Sequence, residues 1–215
     1  MTDRPSPRIS SRKQPRQARS TELVSAILEA AIQVLAKEGA QRFTTARVAE
    51  KAGVSVGSVY QYFPNKAAIL FRLQSDEWRQ TTNLLRAILE DVDRPPFERL
   101  RNLVHAFVRS ECEEAEMRVA LNDAAPLYRD APEARDAKAA GAGIIQGFMR
   151  EALPGSPDSV RVLAGDLIKA TLSQVGKDFS ESPRAPAEIA AYADAMADMF
   201  RAYLASLEQG PGRKP

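Results

Sequence analysis

Glycine and proline fall in this 215-residue chain between helical stripes more often than inside them, and that placement restricts the fold before any other feature does. From Thr21 onward, Leu23, Ile27, Ala30 and Val34 recur at spacings that fill one helical face, and Gly39 stands where that helix would stop. Thr44 or Thr45 then occupies an N-cap position ahead of ARVAEKA, and Gly53 closes this short helix. A third helix reads from about Ser55 to Phe63 and ends at Pro64, because a proline disfavours helical backbone in the residue before it. Asn65 is a good N-cap for a long helix that meets no break until Asp93-Arg94-Pro95-Pro96. Later helical patterns are broken at Pro126, near Asp130-Ala131-Pro132, from Pro154 to Pro157, and from Ser182 to Pro186. No stretch alternates for long with a period of two, so the chain reads as all-α with about nine helices.

Composition removes several function classes. Hydrophobic residues make up 44% and charged residues 27%, values of a globular protein, and no run approaches the roughly 18 apolar residues of a membrane span. The N-terminus lacks the apolar run of a signal peptide, which places the protein in the cytoplasm as an expectation. Cys112 is the only cysteine and His105 the only histidine, so an intramolecular disulfide is excluded and a structural zinc site disfavoured. With no glycine-rich phosphate loop either, nothing points to an enzyme or to a cofactor. His105 and Cys112 lie seven apart, on one face of the fifth helix, where a half-buried histidine with a core cysteine is favoured over a metal or thiol sensor. The acidic run Glu111, Glu113, Glu114 and Glu116 reads as a solvated face.

Charge is divided along the chain. Residues 1–66 hold 11 Lys and Arg against 5 Asp and Glu, whereas the remainder holds 19 against 23. A basic front with an acidic back is the pattern of a small domain that meets a polyanion and a larger one with another task. Residues 1–19, with Arg4, Arg8, Arg12, Lys13, Arg16 and Arg19 among prolines and serines, read as a disordered basic arm.

The segment TTARVAEKAGVSVGSVYQYFP, from Thr44 to Pro64, has the spacing of a helix-turn-helix. Val48 and Ala52 supply a buried face, Ala49 is small where the second helix crosses, Gly53 permits the turn, Val54 plugs it, and Val59 anchors the second helix from beneath. Facing outward are then Val56, Gly57, Ser58, Tyr60, Gln61 and Tyr62, which become the candidate readers of a major groove. Together with Asn65-Lys66, this run resembles the DNA-binding domain of the TetR family of transcriptional regulators. The resemblance covers about residues 20–70 and rests most specifically on the run from Tyr60 to Lys66. It implies that Thr44, Thr45, Tyr60, Tyr62 and Lys66 touch phosphates or sugars, and that Val56, Gly57, Ser58 and Gln61 face the bases of a double-stranded operator. The implied organisation is a helix-turn-helix domain over 20–66 followed by a ligand-binding and dimerisation domain over 67–215.

Two later segments carry broad apolar faces. One runs through Val160, Leu163, Leu167, Thr171 and Val175, the other through Ile189, Tyr192, Met196, Met199, Tyr203 and Leu207. The family resemblance implies that both helices pair with their copies, giving an interface of Leu163, Leu167, Thr171, Met196, Met199 and Tyr203 in a homodimer that reads a palindrome. It also implies an effector pocket among the middle helices, for which Trp78, Phe107, Met117, Tyr128 and Phe148 are candidates, with Phe97 and Met149 beside them. The expected protein is a ligand-released repressor that works without a cofactor or a membrane. The alternative is a helix-turn-helix regulator controlled by a protein partner.

Overall fold

The computed structural model describes residues 9–12, 18–128, 132–133 and 142–209. Among them lie nine α-helices and no strand: α1 Ala18–Arg42, α2 Thr45–Ala52, α3 Val56–Tyr62, α4 Lys66–Leu89, α5 Pro96–Glu113, α6 Ala115–Ala124, α7 Ala142–Ala152, α8 Asp158–Ser180 and α9 Pro186–Gln209. A 3₁₀ turn, Ala125–Leu127, follows α6. The break expected at 130–132 falls largely outside the described residues.

Local chemistry accounts for the early boundaries. Gly39 interrupts α1 with φ 71° and ψ 170°, a backbone that residues with a Cβ avoid. Thr44 caps α2 by accepting the Arg47 amide at 3.2 Å. Ser55 caps α3 by accepting the Ser58 amide at 3.0 Å, and Asn65 caps α4 by accepting the Ala68 amide at 2.9 Å. Between α2 and α3 the chain reverses at Gly53, where φ is 67° and ψ 29°, and its amide turns back to the carbonyls of Ala49 and Glu50. Val54 follows, donating its own amide to Ala49 at 3.0 Å.

The chain divides into two compact units. The first comprises residues 1–79 and 116–139, the second residues 80–115 and 140–215. This differs from a boundary at residue 66, and the reason is packing: Ala67 to Leu70 and Leu73 of α4, with Ala120, Leu121 and Ala124 of α6, are buried in the same core as Ile27, Leu35, Val48 and Val59. In the second unit, α5 packs against α7, α8 and α9. Its core joins Leu100, Leu103, Val104 and Val108 of α5 to Ala164, Ile168 and Leu172 of α8 and Ala193, Ala197, Phe200 and Leu204 of α9. A buried cation sits in this core: Arg99 donates to the Leu89 carbonyl, pairs with Glu151 and lies 5.6 Å from the centroid of the Phe148 ring.

At Gly53 an added Cβ would meet nothing within 4 Å, so only the backbone opposes a side chain there. Gly53→Ala should therefore destabilise the first unit by ~1–2 kcal/mol, the left-handed penalty alone. Gly53→Asn should cost less. Thermal unfolding followed by circular dichroism checks both.

Candidate nucleic-acid interface

Among the described residues the outer face of α3 is exposed. Val56 and Tyr60 are each 39% exposed, and Gly57 and Gln61 are exposed beside them. A Cβ built on Gly57 would meet only the Ser55 hydroxyl, at 3.6 Å, so backbone can approach a surface closely at this point. The Ser55 and Ser58 hydroxyls are 2.8 Å apart, and the Tyr60 hydroxyl lies 3.2 Å from Thr45 Oγ1, which ties the outer edge of α3 to the start of α2. Beneath, Val59 and Phe63 are fully buried. Lys66 is the first residue of α4, so its ammonium accompanies the unsatisfied amides and positive end of a 24-residue helix.

Two residues of the N-terminal arm join this surface. Ile9 is buried in the first unit's core, and the Arg12 amide donates to the Tyr62 carbonyl at 2.8 Å while its guanidinium reaches the Tyr60 carbonyl at 3.4 Å. The expectation of an arm packed nowhere is thus corrected over residues 9–12, because Ile9 supplies apolar area and α3 ends in carbonyls that need donors. No periodic signal could have found an isolated isoleucine among arginines, prolines and serines. Arm residues 1–8 and 13–17 lie outside the described residues.

Family models match both parts of the chain: "Bacterial regulatory proteins, tetR family" over residues 27–73, and "Tetracyclin repressor-like, C-terminal domain" over residues 95–207. The chain belongs to the TetR family. Among solved structures, a TetR-family transcriptional regulator from Mesorhizobium loti superposes with a TM-score of 0.68 at 18% identity, covering 87% of this chain and 98% of that one. The fatty acid degradation regulator FadR from Bacillus halodurans gives 0.65 at 17% identity, covering 87% and 96%. A curated relative, the nucleoid occlusion factor SlmA of Vibrio campbellii, is 36% identical over 80 residues, so the chain spans only 40% of that protein. This TetR-family chain is a DNA-binding transcriptional regulator, and among the described residues no cluster of His, Cys, Asp and Glu could hold a metal ion. No described helix is long and apolar enough to cross a membrane.

Several candidate residues sit elsewhere than expected. Tyr62 does not face outward; it is 6% exposed, because it lies three residues after Val59 and shares that buried face. Thr44 is exposed, and Thr45, Ser58 and Lys66 are half-buried. The five pocket candidates are divided between the two units. Trp78, Met117 and Tyr128 belong to the first unit and Phe107 and Phe148 to the second. Two of them are engaged in packing: Tyr128 is buried against Phe71 and donates to the Leu121 carbonyl at 3.0 Å, while Phe107 presses on Gly176, where an added Cβ would lie 3.1 Å from its ring. Burial, with the Glu77 carboxylate nearby, pushes the Tyr128 hydroxyl's pKa well up and keeps it a neutral donor. Phe97 is half-buried and Met149 buried, both within the second unit's core. Of the interface candidates, Leu163, Leu167 and Met199 are exposed, Thr171 and Tyr203 are half-buried, and Met196 is a core residue at 5% exposure. Of the acidic run, Glu113, Glu114 and Glu116 are exposed but Glu111 is buried.

Lys66→Ala should weaken binding to all DNA sequences about equally and reduce the salt slope by roughly one. Gln61→Ala should instead lose ~1–3 kcal/mol of discrimination at one symmetric pair of base positions, since its amide offers a donor and an acceptor to a base edge. Binding titrations across salt concentrations and against single-base variants of a selected duplex separate the two.

Proposed function

We propose that this TetR-family regulator is a homodimeric repressor that binds a palindromic operator and is released by a small molecule. The observation that carries the dimer is apolar surface left open on two helices: Leu163 is 65% exposed and Leu167 48% on α8, and Met199 is 51% exposed on α9. Leu163 and Leu167 are separated by four residues and so share one face of α8, with Thr171 the next position along it. Open apolar patches of this kind mark an interaction surface, and a two-fold pair is what presents two copies of α3 to successive major grooves about 34 Å apart. In this reading Thr44, Thr45, Tyr60 and Lys66 fix the register on phosphates and sugars, and Val56, Gly57, Ser58 and Gln61 meet the bases.

Release requires a ligand that binds the non-operator conformation better, and a hundredfold preference corresponds to about 2.7 kcal/mol of coupling. The helix α4 contributes residues to both units, which makes it the covalent route for that coupling. By linkage, operator must weaken ligand binding by the factor by which ligand weakens operator binding.

Leu163→Asp would place a carboxylate in an apolar seam, once on each protomer. It should yield folded monomers by sedimentation velocity, with binding to a full palindrome reduced at least tenfold and binding to a half-site little changed. A parent protein that is already monomeric on a palindrome would refute the dimer.

A further inference from the structure

The C-terminal half of α5, the α8–α9 connection and the first turn of α9 line a cleft of about 560 Å³ within the second unit, a volume in the range of small-molecule sites. Pro183, Pro186, Ile189 and Ala190 give it an apolar wall. Opposite chemistry comes from Arg109 and Arg184. Arg184 is exposed but is oriented by two local contacts: Nε donates to the Phe179 carbonyl at 3.0 Å, and the guanidinium lies 4.6 Å from the Phe179 ring centroid. That ring is itself stacked on Tyr192, with centroids 3.9 Å apart. The carbonyl and the ring engage Nε and one face, leaving the terminal nitrogens available as a planar fork. Neither Arg184 nor Arg109 makes an ion pair among the described residues.

The neighbouring carboxylates are engaged elsewhere. Asp194 is bound by Arg101 and by His105 Nε2 at 3.0 Å, Asp198 is bound by Arg101, and Glu188 accepts the Ala185 amide at 2.8 Å. Glu113 is the one carboxylate among the lining residues and faces two guanidinium groups, with the buried Glu111 close to Cys112 behind them. Two guanidinium groups on one wall suit an anion, and a planar guanidinium fork matches a carboxylate in particular.

We propose that this cleft binds an organic carboxylate with an apolar body, the carboxylate held between Arg109 and Arg184 and the body laid on the proline-lined wall. Cys112 also lines the cleft. Burial raises its thiol pKa, with Glu111 and Glu113 adding to the rise and Arg184 opposing it, so the group is a neutral bystander at pH 7 rather than a nucleophile. As the chain's only cysteine, it serves as a built-in reporter of occupancy. The site stands independently of operator release, because the readout is occupancy at Cys112 and not DNA affinity.

The test is the rate of Cys112 alkylation by iodoacetamide at mildly alkaline pH in the full chain. Benzoate, 4-phenylbutyrate and octanoate are titrated against 4-phenylbutanol, 4-phenylbutylamine and inorganic phosphate. At least one carboxylate should slow alkylation severalfold in a saturable way, while the alcohol, the amine and phosphate do not. Arg184→Gln and Arg109→Gln, each verified as folded by circular dichroism, should raise that carboxylate's dissociation constant about tenfold, the loss of a charge-assisted bond. No protection by any of the three carboxylates, equal protection by the alcohol or by phosphate, or unchanged affinity in both folded variants would overturn the proposal.

Discussion

A seven-residue helix has no stability of its own in water, because nucleation costs more than two turns of hydrogen bonding return. Everything that α3 offers to DNA therefore depends on what pins it. Three sets of contacts do so. Val59, Tyr62 and Phe63 are buried beneath it, the Ser55 hydroxyl caps its first turn, and the Arg12 amide satisfies a carbonyl of its last. The left-handed Gly53 sets the angle at which the helix leaves α2. With the underside fixed in this way, the side chains that remain outside are presented without being required for folding, so a surface of this kind tolerates changes of sequence that alter which DNA is read.

The helical architecture was legible because its signals are local. Caps at Thr44, Ser55 and Asn65 and the positive-φ glycines at 39 and 53 each act over three or four residues, a distance that a sequence states directly. Tyr62 differs from the outward placement that the helix-turn-helix spacing suggests: it stands three residues after Val59, and that spacing puts it on the buried face. In α9, Ala193, Met196, Ala197, Phe200 and Leu204 form the stripe covered by the chain itself, and Met199 lies just outside it. A broad apolar face announces that much must be covered, not which part the same chain covers.

Long-range placement left the weakest traces. Ile9 is one apolar residue in a basic arm, and only tertiary contact reveals that it docks. Aromatic residues in the middle helices are equally compatible with lining a cavity or filling one; Tyr128 fills the first unit's core and Phe148 the second's, with Phe97 and Phe107 packed against it. Conversely, the α5–α9 cleft draws on residues more than 70 positions apart in sequence. His105 and Cys112 could be placed on one face of α5 by counting, but the loop that closes over that face could not be.

We propose that DNA is read by the pinned face of α3 and its flanks. Hydrogen–deuterium exchange of the full chain, with and without the tightest duplex recovered from a random library, addresses this most directly. Protection on DNA addition should concentrate in residues 44–66, and the recovered duplex should be palindromic. Protection confined to the second unit, with exchange in α2, α3 and the start of α4 unaltered, would contradict the account.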